Sequence, residues 1–91
     1  MVKEKLINKI MSKPPRRDIT VEEMDKFLGY YGFVLDRISD NSHYLYKNES
    51  THQVIVFACP HSGARQIKPV YILKIQTIIN RMNNEDQQKE D

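Results

Sequence analysis

The 91-residue sequence predicts a two-layer α+β domain, a three-stranded antiparallel sheet packed by helices in the order α-α-β-β-β-α. Three observations carry that expectation. Apolar residues recur at the 3.6-residue helical period near both ends of the chain. Between them lie three short runs rich in β-branched and aromatic residues, "FVLDRIS", "HYLYKN" and "QVIVFA". The links between those runs, "DNS" and "ESTH", are short and polar, which suits hairpins. A meander of this kind buries one face under helices and turns the other to solvent.

The first helix is expected over residues 2–12, where Val2, Leu6, Ile7, Ile10 and Met11 share a face. Pro14 and Pro15 stop it and hold Lys13 extended. The second helix has a complete start signal. Thr20 can cap it, Glu23 can reach back as the capping-box partner, and Ile19 and Met24 stand at the two positions of a hydrophobic staple. Met24, Phe27, Leu28 and Tyr31 continue its apolar stripe, and Gly32 is a natural stop. Strands follow at 33–39, 43–48 and 53–58. In the second, alternation puts His43, Leu45 and Lys47 on one face and Tyr44 and Tyr46 on the other. The last helix begins at about Pro69, a favoured residue in a first turn, with Tyr71, Ile72, Ile75, Ile78, Ile79 and Met82 as its stripe. Residues 83–91, "NNEDQQKED", have nothing to bury and read as a disordered acidic tail. On this division 18–82 is the domain proper, and 1–17 supplies an added helix and linker.

Composition excludes several classes. A hydrophobic fraction of 40% argues against wholesale disorder. No apolar run approaches the roughly 20 residues of a membrane span, so no membrane partner is expected. The amino terminus interleaves charged and apolar residues, unlike a signal peptide, and Cys59 has no second cysteine to pair with. Both point to the cytoplasm. The last seven residues hold four acids and one lysine, which leaves 13 basic and 8 acidic side chains, +5, on the other 84. That balance permits a nucleic-acid partner.

Few residues are suited to chemistry. There is no glycine-rich phosphate loop, no H-E-x-x-H, no C-x-x-C and no nucleophile elbow. Three histidines and Cys59 remain. Cys59 and His61 form one C-x-H pair, whereas structural zinc sites present two ligand pairs, so no metal or other cofactor is expected and Cys59 reads as a small buried hydrophobe. His52 falls in a polar hairpin link, and His61 in the loop that feeds the last helix, where it can meet an anion or cap a turn. His43 opens the central strand directly after Ser42, with Arg37 and Lys47 on or near its strand. It is the candidate for proton transfer.

In order along the chain, "YYGFVLDRISDNSHYLYKN", "VIVFACPHSG" and "IKPVYILKIQTII" resemble the HicA (YcfA-like) family of toxin–antitoxin ribonucleases. The resemblance spans roughly residues 20–80. It rests on Gly32-Phe33 at a helix end, Asn41-Ser42-His43 opening the second strand where the family has G-S-H, Pro60-His61 after the third, and Lys68-Pro69 before the closing helix. It implies a double-stranded-RNA-binding-domain-like fold and a metal-independent endoribonuclease that cuts single-stranded messenger RNA. It also implies neutralisation by a HicB-like antitoxin. His43 then maps to the catalytic position. Asn41 replaces the motif glycine, and asparagine is among the residues that best tolerate a left-handed turn.

The chemistry asks little of a small chain. RNA carries its own nucleophile, the ribose 2′-hydroxyl, and an imidazole exchanges protons near neutrality. Arg37, Ser42, Lys47, His61 and Lys68 are the candidate RNA-binding residues, and the cations among them suit the charge that builds on a five-coordinate phosphate. The second proton-transfer role falls to His61 or to water. Two other readings stay open: a non-catalytic RNA-binding module, and a protein-interaction domain that uses the exposed sheet face or edge.

Overall fold

A computed structural model describes residues 2–40, 42–59 and 66–89. Asn41, Pro60 and His61 lie outside the described residues. The elements are α1 (Val2–Ile10), α2 (Val21–Tyr30), β1 (Phe33–Ser39), β2 (His43–Asn48), β3 (Val54–Ala58) and α3 (Pro69–Lys89). The strands form one antiparallel meander in the order β1-β2-β3. The expected α+β class and element order are thus observed. Among the described residues no helix is long and apolar enough to cross a membrane.

Helix α2 starts as its sequence dictates. The Glu23 amide donates to Thr20 Oγ1 at 3.1 Å, and the Thr20 amide donates back to Glu23 Oε1 at 3.0 Å, so two otherwise orphaned donors are satisfied. Lys9 of α1 reaches the other oxygen of Glu23 at 2.8 Å and ties the two helices together. Partial burial pushes the Glu23 carboxyl upward, but the hydrogen bonds from Lys9 and the Thr20 backbone outweigh it, and the group ends below its ordinary value. Nearby, a two-pronged hydrogen bond from Arg16 lowers exposed Asp18 to about 2.

Alternation along β2 buries Tyr44, Tyr46 and Asn48 and leaves His43 and Lys47 exposed. Phe57 of β3 stacks on both tyrosines, with ring centroids 5.3 and 5.7 Å away. Phe27 and Leu28 of α2 and Ile72, Ile75 and Ile79 of α3 close over this inner layer. The Tyr46 hydroxyl donates to Asp25 of α2 at 2.8 Å; burial first, then that carboxylate, hold the phenol far above its ordinary value. Asn48 ends the strand as a buried polar hub. Its Nδ2 donates to the Tyr31 carbonyl at 2.9 Å, and its Oδ1 accepts from the Ser50 and Thr51 amides. Gly32, at φ +88°, passes close by: a Cβ there would stand 3.2 Å from Asn48 Nδ2.

Two features mark the ends of the chain. Helix α1 shares the common core, with Leu6 and Ile10 buried among the residues of α2 and α3, so the amino-terminal helix is part of one packing unit. Its link to α3 is Gln76. The Nε2 of this buried side chain donates to the Ile10 and Ser12 carbonyls at 2.8 and 2.9 Å, satisfying acceptors that the end of α1 leaves without partners. Its Oε1 has no hydrogen-bond partner among the described residues. At the other end, α3 continues to Lys89, past the last apolar stripe residue, Met82. The stretch 83–89 thus continues the helix. It contains neither glycine nor proline to stop a helix already nucleated and packed upstream.

Candidate functional site

Ser42 and His43 stand at the end of the sheet where β2 begins and β3 ends. The turn before β2 closes through the Ser42 amide, which donates to the Ser39 carbonyl at 3.0 Å, and Asp40 takes the left-handed conformation at φ 51°. The Ser42 carbonyl accepts from the Cys59 amide at 2.9 Å, so the entry to β2 is pinned to the exit of β3. His43 follows, paired with Ser39 on one side and Ala58 on the other, with its side chain on the exposed face. Ser42 Oγ lies 3.3 Å from His43 Nδ1. That contact engages one ring nitrogen and leaves Nε2 as the one available for proton exchange.

A β-bulge decides where Arg37 goes. Leu35 pairs with Tyr46 and Arg37 with Leu45, so Asp36 is the extra residue. Without the bulge Arg37 would fall opposite Tyr44, on the face that the helices cover. With it, Arg37 shares the open face with His43, on a diagonal of roughly 7–8 Å between backbones, within reach of a long side chain. Lys47 stands on the same face but four residues along β2, about 13 Å away. Asp36 Oδ2 lies 3.8 Å from Arg37 Nε and 3.7 Å from Lys47 Nζ. Such loose, exposed contacts contribute about 0–1 kcal/mol and leave both cations open to another anion.

Lys68 joins the His43 end from a distant part of the chain. It is exposed just before α3 and, with Ser42, Ala58, Cys59 and Tyr71, lines a surface pocket of about 200 Å³. Cys59 is buried, with Sγ 3.7 Å from the Gln66 carbonyl. Tyr71 was assigned above only to the core stripe of α3; the structure places it half-buried on the pocket wall. The available signal was its position one turn after Lys68, as the single aromatic residue in an otherwise aliphatic stripe.

The structure therefore sets Ser42 against His43 and on one pocket with Lys68, places Arg37 on the same face as His43, and puts Lys47 with Arg37 on Asp36, well along β2 from His43. His52 is at the opposite end of the sheet, at φ 63° in the β2–β3 connection, beside a second pocket lined by Lys47, Asn48, Glu49, Gln53 and Val54. His43 and His52 thus cannot share one ion. Among the described residues no group of three or more His, Cys, Asp or Glu side chains is placed to hold a metal ion. Comparison with protein-family models, curated proteins and solved structures found no match.

Proposed function

We propose that the chain is a small endoribonuclease of the HicA kind, acting on single-stranded RNA with His43 as the proton-transferring residue. One observation supports this reading above the others: His43 is exposed, pinned at a strand start, and oriented by Ser42, which also lines a pocket with Lys68. In the proposed reaction His43 takes the proton of the ribose 2′-hydroxyl, and that oxygen attacks the adjacent phosphorus. The bond to the 5′-oxygen breaks, and the departing oxygen is protonated by His61 or by water. The products are a 2′,3′-cyclic phosphate and a 5′-hydroxyl. Arg37 and Lys68 stabilise the charge on the phosphate oxygens as it builds. A cytoplasmic setting and an antitoxin partner belong to the same proposal.

A second reading draws on the outer face of the sheet, where Val34, Val54 and Val56 are 67, 48 and 49% exposed. Such a surface favours a protein partner. It is compatible with catalysis, because a covering protein could also hold a nuclease inactive.

The test uses the purified chain, an RNA substrate and excess chelator. Cleavage is expected to persist in chelator, and His43→Ala, with its fold checked by circular dichroism, is expected to lose it. A substrate with one 2′-deoxy sugar at the cut should bind and stay intact. Undiminished cutting of that substrate would make water the nucleophile and end the internal-attack mechanism. Activity lost on chelation and restored by a divalent ion would overturn the proposal in its metal-independent form.

A further inference from the structure

We propose that the pocket between the start of β2, the end of β3 and the first turn of α3 holds one nucleotide of the RNA, with its base against Tyr71 and its phosphate against Lys68. This deepens the ribonuclease reading and rests on it for the identity of the ligand.

The pocket's composition matches the three parts of a nucleotide. A base offers a flat π-face, for which an aromatic ring is the natural partner whatever the base. Tyr71 supplies that ring, and its partial burial against the core holds it in place. A phosphate calls for a cation, and Lys68 is exposed one turn earlier on the same wall. Ser42 offers a hydroxyl, and Ala58 and Cys59 also line the pocket. At about 200 Å³ the space is below the roughly 300–1,000 Å³ of sites that enclose drug-sized ligands, which suits a single base.

Two other hollows among the described residues fit less well. The one beside His52 has Lys47 but no aromatic ring, and the one beneath Val34 and Leu35 carries both Asp36 and Glu49, which repel phosphate. The outer face of the sheet is aliphatic, because the tyrosines of β2 point into the core. Tyr71 is thus the ring beside Ser42 against which a base can lie. Ser42 also contacts His43 Nδ1, so a nucleotide seated here lies against the residue that orients the imidazole.

The experiment is an amide chemical-shift titration of the full ¹⁵N-labelled chain with uridine 3′-monophosphate, adenosine 3′-monophosphate and, as a control, inorganic phosphate. Shifts are expected at Ser42, Ala58, Cys59, Lys68 and Tyr71, and not at Lys47, His52 or Val54. Tyr71→Leu keeps an apolar contact with the core and should weaken nucleotide affinity about five- to hundredfold, whereas Tyr71→Phe should stay within about twofold. Lys68→Gln should weaken binding and flatten its salt dependence. Shifts centred on Lys47 and His52, an unchanged affinity in folded Tyr71→Leu, or inorganic phosphate binding as tightly as the nucleotides would each overturn the proposal. If Tyr71→Leu loses its fold, the shift map and surface Lys68→Gln decide the matter. Mononucleotides are not cleaved, so the two readings fail separately. Nucleotide held here by a chain that cuts no RNA removes the nuclease and keeps the pocket. His43-dependent cutting with no nucleotide in the pocket does the reverse.

Discussion

Among the described residues Gln76 is the one polar side chain in the buried stripe of α3, and replacing it tests how the amino-terminal helix is held. Gln76→Leu removes both amide donors and leaves the Ile10 and Ser12 carbonyls without them. A buried acceptor that loses its partner costs about 1–3 kcal/mol, so two such groups, one only partly buried, cost about 2–4. Against this, the variant also removes the unpartnered Oε1 and gains apolar burial, together offsetting about 1–2 kcal/mol. The net expectation is a loss of about 0–3 kcal/mol, or up to roughly 20 °C in melting temperature for a chain of this size. Gln76→Glu sharpens the test. At neutral pH it sets a buried carboxylate against two carbonyls and should cost more, about 3–5 kcal/mol. Burial and the facing carbonyls raise its folded pKa above the unfolded value. The charge part of the penalty should therefore be complete above the folded pKa and be lost as pH falls to the unfolded value near about 4.3, leaving the cost of the one carbonyl that a single O–H does not reach. Urea unfolding followed by circular dichroism at pH 7 and at pH 4.5 measures both variants. A Leu variant as stable as the wild type, together with a Glu variant whose deficit does not change with pH, would refute the argument that Gln76 ties α1 to α3.

Two further outcomes concern the remaining frame. Gly32→Ala should destabilise by about 1–2 kcal/mol, because φ +88° disfavours any side chain and the added Cβ meets Asn48 Nδ2 at 3.2 Å; equal midpoints in urea would contradict this. The Glu23 carboxyl is held below its ordinary value, so its contribution to stability is present above the unfolded pKa and is lost as pH falls through the folded one. Glu23→Gln should accordingly unfold with a shallower dependence on pH below about 4.3 than the wild type, and parallel curves would show that the capping box and Lys9 do not act through the ionised carboxylate.

What the sequence by itself determined was local. The capping box joins residues three apart, Gly32 ends a helix at the next turn, and the alternation of β2 is read from neighbours along one strand. In each case the physics lies within a few residues, so the pattern is visible in the chain. It was enough to put His43 and Lys47 on one face and Tyr44 and Tyr46 on the other, while the packing of the helices decided which face is buried. Tertiary structure decided the rest. Nothing local to "VLDRIS" announces a bulge at Asp36; that extra residue is accommodated by pairing with β2, and it alone puts Arg37 on the face of His43. Gln76 looks like a surface residue until α1, 66 residues away, presents two unmet carbonyls to it. Ser42, Lys68 and Tyr71 come from separate segments, and their meeting depends on how α3 docks across the end of the sheet. A side chain's intrinsic chemistry is written in its residue type, whereas the distance to its partners is set by packing, and for this site packing did the assembling.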